Sequence, residues 1–124
     1  MKKVLLAILA VILVTTIWIL FAQIREQSYE VELRNGLLLT CFYPQLQNAV
    51  DCYYGPQKGV HVNNYMGEVL SISHVQCGYY ITLCIYPYVG PHNTVGIDEV
   101  TFFVNNSGIV KQESFEHVKD YEYP

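Results

Sequence analysis

The strongest constraint on this chain is an uncharged apolar run near its start. After Met-Lys-Lys, the nineteen residues 4–22 read VLLAILAVILVTTIWILFA without one charged side chain. As a helix, this run rises about 28 Å, close to the hydrocarbon thickness of a bilayer. Trp18, near its far end, suits an anchor at the membrane interface. We therefore expect residues 4–22 to engage a membrane.

A secretory signal peptide is the alternative interpretation of the same segment. Signal peptides share the basic start, but their apolar core is usually shorter, about 7 to 15 residues. The candidate cleavage site Leu20-Phe21-Ala22 has a bulky leucine where a small residue is preferred. Residues 1–27 are therefore predicted to be a signal anchor, or a signal peptide with a short linker, and both interpretations stay open.

The charges that flank the run predict its orientation. Lys2 and Lys3 precede it, whereas Arg25 follows it closely beside an offsetting Glu26. Basic residues stay preferentially on the cytoplasmic side, so the N-terminus is expected inside and the rest of the chain outside. The predicted location is the cell membrane with an extracytoplasmic C-terminal domain, or secretion if the leader is cleaved.

The remainder of the chain is acidic and rich in tyrosine. Residues 28–124 carry four basic residues against ten acidic ones, a net charge of −6, and all eleven tyrosines lie here. An acidic surface repels phosphate backbones, so a nucleic-acid partner is excluded. About a hundred residues suffice for one modest hydrophobic core.

Residues 28–54 have helical periodicity. In LQNAVDCYYGP (46–56) the apolar residues recur at the spacing of one helix face, and Gly55-Pro56 is a strong stop. A second apolar stripe lies upstream, between Leu33 and Phe42. Pro44 lies between the two stripes and lacks a backbone N–H, so it either kinks one long helix or starts a second one. We favour two helices.

Beyond Gly55 the hydrophobic period changes to two, which is typical of strands. Four segments alternate in this way: EVLSISHV (68–75), YYITLCIY (79–86), EVTFFV (99–104) and IVKQESFEHV (109–118). The predicted fold class is α+β: an N-terminal membrane or signal helix, then one or two helices packed on a four-stranded antiparallel meander. Residues 28–118 form the predicted domain, and 119–124 a loose tail.

The segment GPHNTVGIDEVTF (90–102) concentrates side chains that could carry chemistry. His92 could ligate a metal or act as a general base with Asp98 or Glu99, yet no convergent ligand set accompanies it. The favoured interpretation is a turn whose imidazole binds loop backbone. No metal site and no catalytic residue is assigned. The candidate for a ligand or partner is a lip formed by Tyr86, Tyr88, His92, Asn93 and Asp98.

The four cysteines leave several interpretations open. Outside the cell an even count suggests disulfides, and one bridge between helix and sheet, Cys52 to Cys84, is a candidate. Four small buried thiols are an equal alternative. Zinc binding is disfavoured because no CxxC pair is present, and a Cys–His nucleophile pair is disfavoured to a similar degree.

Two stretches carry a resemblance to a known family. YPQLQNAVDCYYG (43–55) and GPHNTVGIDEVTF (90–102), with EVLSI (68–72) and a histidine at 117, resemble small exported proteins of Gram-positive spore formers, grouped as domain of unknown function 3888. The resemblance implies export and an α+β domain, and it supplies no reaction or cofactor. The family tends to carry prolines where Thr94-Val95 stand, and Cys41 and Cys52 lie outside its pattern.

The expected function is a non-enzymatic binding or accessory module of the cell envelope, with an envelope protein or glycan as its partner and no cofactor. The alternative is a small hydrolase or metal-dependent enzyme that uses His92 with Asp98, Glu99 or a cysteine. A precursor or immunity-like factor is a third interpretation that the sequence does not separate from the first.

Overall fold

The computed structural model of the protein describes residues 1–91 and 93–121. The chain divides into two compact units, Met1–Arg34 and Asn35–Pro124. The elements in chain order are α1 (Lys2–Cys41), α2 (Tyr43–Tyr54), a 3-10 helix (Pro56–Lys58), β1 (Gly67–Val75), β2 (Gly78–Ile85), β3 (Tyr88–Val89), β4 (Asn93–Thr94), β5 (Gly96–Asn105) and β6 (Val110–Asp120).

Helix α1 contains the apolar run and continues well beyond it. By length and composition it can cross a membrane: its best 18-residue window has a mean hydropathy of 3.0, and none of that window is buried. The predicted boundary after residue 27 does not coincide with an end of this helix, which extends to Cys41. No proline precedes Pro44, so the sequence contains no strong helix breaker until then.

The two predicted helices separate at Phe42, which is the N-cap of α2. Pro44 lies within the first two positions of α2, where a backbone N–H has no partner inside the helix and its loss costs little. Helix α2 ends before Gly55, which has a φ of 96° that favours glycine over any residue with a Cβ. The predicted stop at Gly55-Pro56 is therefore confirmed.

Strands β1, β2, β5 and β6 form one antiparallel sheet in that order, which confirms the α+β meander. The strands occupy the predicted segments, with ends shifted by a few residues. Residues 119–121 of the predicted loose tail are ordered instead, because β6 includes Lys119 and Asp120 and the Tyr121 N–H donates to the Val95 carbonyl at 3.0 Å. The rest of that tail, 122–124, lies outside the described residues. The small β3–β4 hairpin lies in the connection between β2 and β5.

The core lies between α2 and one face of the sheet. Helix α2 buries Leu46, Ala49 and Val50, three residues of the apolar face that the sequence indicates. Their partners in the core cluster come from the end of α1, the N-cap of α2, the segment before β1 and the two central strands: Leu39, Phe42, Val60, Val62, Ile81, Leu83, Ile85, Val100 and Phe102. The Phe42 and Phe102 rings stack with centroids 5.3 Å apart. The second helix therefore covers the sheet as predicted.

Gln47 connects α2 to the segment before β1. Its Nε2 donates to the Val60 carbonyl at 2.9 Å, and its Oε1 accepts the Val62 N–H at 3.0 Å. Both valines belong to the core, so one polar side chain provides the hydrogen bonds that the carbonyl of Val60 and the N–H of Val62 require beside that core. His61 between them pairs with Tyr88 through two backbone hydrogen bonds of 2.8 and 2.9 Å. The same segment therefore fixes the start of the β3–β4 hairpin.

Candidate functional site

A polar cluster lies where the C-terminal end of α2 meets β5 and β6. Its members are Tyr54, Asp98, His117 and Asp120. Asp98 pairs with Ile85 on β2 and with His117 on β6, so it lies on the face of the sheet that α2 covers. Its side chain is fully buried, whereas that of Asp120 is 82% exposed. Four titratable side chains therefore meet at one place, where α2, β5 and β6 come together.

Hydrogen bonds connect the cluster in a chain from the interior to the surface. The Tyr54 hydroxyl donates to Asp98 Oδ2 at 2.8 Å. His117 Nδ1 lies 2.6 Å from Asp98 Oδ1, and His117 Nε2 lies 2.6 Å from Asp120 Oδ1. Both ring nitrogens therefore face carboxylates, an arrangement that suits an imidazolium with two N–H donors.

The electrostatics of the cluster follow from burial and from these contacts. The hydrogen bond to Asp98 raises the pKa of His117 above its usual value, and Asp120 adds to this effect. Burial raises the pKa of Asp98, although hydrogen bonds from His117 and Tyr54 oppose the change. Burial, followed by the bond to Asp98, raises the pKa of Tyr54 well above its ordinary range, so its phenol stays a donor.

Close packing around the imidazole depends on Gly96. A Cβ at this position would lie 2.8 Å from His117 Cε1, 2.7 Å from the Lys119 carbonyl oxygen and 3.0 Å from the Tyr54 hydroxyl. The distance to the backbone oxygen is too short for real Cβ contacts, so the glycine keeps β5 close enough to β6 for the cluster to form. Gly96 is the second glycine of the loop motif that the sequence highlights.

Aromatic rings cover the exposed side of the imidazole. Tyr53 stacks on His117 with centroids 5.2 Å apart and on Phe115 at 4.8 Å. Tyr53 also meets Tyr54 edge-on at 4.8 Å. The adjacent tyrosines at the end of α2 therefore have different roles: Tyr54 hydrogen-bonds the buried carboxylate and Tyr53 packs over the histidine.

The predicted lip is divided in the structure. Tyr88 and Asn93 belong to the β3–β4 hairpin, where they pair with Thr94 and Val89 respectively. His92 lies outside the described residues. Asp98 does not belong to an exposed lip, because its register on β5 directs it into the core, where Tyr54 and His117 bind it.

Tyr86 lies after β2, where it hydrogen-bonds Cys84. The charge of Cys84, followed by burial of the phenol itself, raises the pKa of Tyr86. Glu99 follows Asp98 directly in β5, and neighbouring residues of a strand face opposite sides of the sheet. The two carboxylates therefore do not converge on one site. A lip of Tyr86, Tyr88, His92 and Asn93 stays a prediction.

The cysteines are free thiols in the structure. Cys52 is exposed on α2, whereas Cys84 is buried on the face opposite Leu83 and Ile85, which α2 covers. The candidate bridge between Cys52 and Cys84 is not formed, because the pleat directs Cys84 away from the helix. The alternative of four buried thiols is wrong as well, since Cys41 and Cys77 are exposed.

Within residues 1–91 and 93–121, no group of three or more His, Cys, Asp or Glu side chains is arranged to hold a metal ion. The side chains of the cluster are instead held together by hydrogen bonds. A general base needs a ring nitrogen with a free lone pair, and here both nitrogens of His117 contact carboxylates. The cluster therefore connects α2, β5 and β6. We call it the carboxylate clamp, because Asp98 and Asp120 contact the two ring nitrogens of His117.

Sequence reasoning missed His117 and Tyr54 as partners of Asp98. They lie 19 and 44 residues away from it along the chain. One signal was available in the sequence. If residues are paired across the β5–β6 hairpin, starting from the turn after Asn105, the end of β6 comes to lie beside Asp98. Regular pairing from Val104 with Val110 would bring Glu116 opposite Asp98, and the register shift between Thr101 and Phe102 brings His117 there instead.

Taken together, these features define a small α+β domain with an internal carboxylate clamp, preceded by a long apolar helix. The chain belongs to the family described as Protein of unknown function (DUF3888), whose sequence profile matches residues 35–119. The match begins where the second compact unit begins. No curated protein and no solved structure matches the chain. The family membership that the resemblance implies is thus confirmed.

We expect Asp98→Ala to destabilise the domain far more than Asp120→Ala. The first change leaves the half-buried Tyr54 hydroxyl and His117 Nδ1 without their acceptor, and the loss of one partner of a buried ion pair typically costs about 3–5 kcal/mol. The second removes an exposed carboxylate, for which about 1 kcal/mol or less is typical. Urea unfolding of both variants measures the difference. Equal losses would show that Asp98 is not the centre of the clamp.

The stability of the domain should fall as the pH rises through the raised pKa of His117. Because the folded state binds this proton more tightly than the unfolded chain, the stabilisation is complete below about pH 6.5 and is lost above the folded pKa. The raised pKa of Asp98 also makes the stability of the domain fall as the pH rises, but this effect begins at about pH 3.8.

Melting temperatures between pH 6 and 8.5 test this expectation. His117→Gln should lose most of the slope, whereas His74→Gln, which alters an exposed histidine on β1, should retain the wild-type slope. Identical slopes in the wild type and His117→Gln would contradict a protonated clamp.

Proposed function

We propose that this protein is an extracytoplasmic module, delivered or held at the membrane by its N-terminal helix, and that it acts by binding rather than by catalysis. The observation that carries the proposal is the apolar window of α1, which has a mean hydropathy of 3.0 and contains no buried residue. Exposing so much apolar surface to water is unfavourable, and a bilayer or an export channel removes that cost. Lys2 and Lys3 favour an inside N-terminus.

The polar cluster supports binding over catalysis. His117 is held between two carboxylates and beneath Tyr53, so its nitrogens are not available to a substrate without opening the clamp. The buried Asp98 and the protonated Tyr54 are likewise committed to each other. Groups with perturbed pKa values mark active sites in many enzymes, but structural ion pairs perturb them equally.

A shallow groove beside the β3–β4 hairpin is the proposed contact for an envelope protein or glycan. It is lined by Thr40, Tyr43, Pro44, Val62, Asn64 and Tyr88. Tyrosines at such a surface offer an apolar ring and a polar hydroxyl together, which suits sugar and peptide partners alike. Tyr88 is a member of the predicted lip, so the groove and the lip share one residue.

Reporter fusions behind Pro124 test the placement. We expect an alkaline phosphatase fusion to be active and a green fluorescent protein fusion exported by the same route to be dark, because the C-terminal part leaves the cytosol. Deleting residues 4–22 should reverse both results. A reporter that works only in the cytosol would exclude the extracytoplasmic placement.

Capture from a cell-envelope extract tests the binding role. The change Tyr88→Ala should reduce the partner recovered by at least about tenfold, the equivalent of about 1.4 kcal/mol. The matched control is Tyr65→Ala, which removes a tyrosine that is 93% exposed and outside the groove. Equal recovery with both variants, or a loss of capture that follows a fall in melting temperature, would assign Tyr88 to the scaffold.

A further inference from the structure

Strand β1 forms one open edge of the sheet. In the part of the chain that the structure describes, it pairs with β2 alone, and residues 70–75 are all exposed. A strand edge presents backbone N–H and C=O groups that can pair with another strand. The edge therefore has the geometry to accept a further antiparallel strand.

The two edges of the sheet differ sharply in charge. From Val69 to Ile97 the chain contains no Lys, Arg, Asp or Glu, so nearly all of β1 is uncharged. The opposite edge, β6, carries five charged residues: Lys111, Glu113, Glu116, Lys119 and Asp120. Charged side chains protect natural sheet edges from pairing, and β1 lacks this protection beyond Glu68.

Apolar surface continues from the core to the β1 edge. Ile72 pairs with Ile81 and His74 with Tyr79, so these side chains share the face that carries the core. Ile72 is 48% exposed and Tyr79 is 47% exposed, and the His74 and Tyr79 rings lie 4.7 Å apart. A strand added beside β1 would cover part of this surface.

We infer that β1 pairs antiparallel with β1 of a second copy of this chain, so that two four-stranded sheets join across a two-fold axis. The charge pattern favours a second copy. Residues 28–124 are net negative at −6, and the uncharged edge is where two such copies approach with the least repulsion. A two-fold axis also makes this contact self-complementary, because each copy presents the same strand.

A β-bulge limits the extent of the pairing. The register of β1 shifts between Val69 and Ser71, so the longest stretch of regular geometry is Ser71–Val75. Five residues form a short interface. We therefore predict a reversible dimer with a dissociation constant of about 1–100 μM rather than an obligate dimer. The inference is independent of the binding groove and of the membrane placement.

Sedimentation of the full chain in detergent micelles, corrected for bound detergent, tests the inference. The protein mass should rise with concentration from 14.2 kDa towards twice that value. Ile72→Lys should stay at the single-chain mass, because it places a charge on the edge of each copy. The matched control, Gln112→Lys, alters an exposed residue of β6 and should associate like the wild type. Circular dichroism confirms that both variants fold.

The inference is overturned if the wild type keeps the single-chain mass at protein concentrations up to about ten times the upper bound of the predicted dissociation constant. An Ile72→Lys variant that dimerises as well as the wild type also overturns it, and would indicate contact through another surface, such as α1. Amide exchange provides a second measurement on the unmodified chain: β1 amides should exchange more slowly at high concentration, while β6 amides do not change. Equal β1 exchange at both concentrations contradicts the pairing.

Discussion

The burial of the Asp98 carboxylate is the constraint that organises this domain. A charge removed from water is tolerated only when hydrogen-bond donors replace the solvent. Those donors come from two other elements, Tyr54 at the end of α2 and His117 on β6. The helix and the final strand are therefore held to β5 by one side chain. The apolar core beneath α2 supplies most of the burial, and the carboxylate specifies which helix turn and which strand residue meet there.

The register shift in the last hairpin makes this arrangement available. Glu113 is the extra residue on β6 between the partners of Phe102 and Thr101. With regular pairing, Glu116 would lie opposite Asp98, and two carboxylates would share a buried site at high electrostatic cost. The bulge replaces that repulsion by an attraction to His117. A local irregularity of the backbone thus determines the chemistry of the cluster, and the glycine at 96 provides the space in which the two strands approach.

Periodicity predicted the elements well and their mutual placement less well. The change from helical to alternating spacing after Gly55 located the strands, and the turn-forming NNSG located the last hairpin. The position of a bulge has no periodic signature, so the partner of Asp98 was not found. Likewise, the motif around residue 92 attracted attention because its polar residues are adjacent in sequence. The cluster that the structure forms joins residues far apart in the chain, which spacing alone does not reveal.

The order of Asp98 and His117 along the chain has a consequence for the order in which the domain matures. The N-terminal helix is synthesised first, and β5 then emerges with its carboxylate before the histidine that neutralises it exists. Until His117 has appeared, 19 residues later, Asp98 must stay hydrated or rely on Tyr54 alone. The final locking of β5 against α2 therefore awaits the synthesis of β6, so the apolar core can assemble before the polar contacts that fix its register.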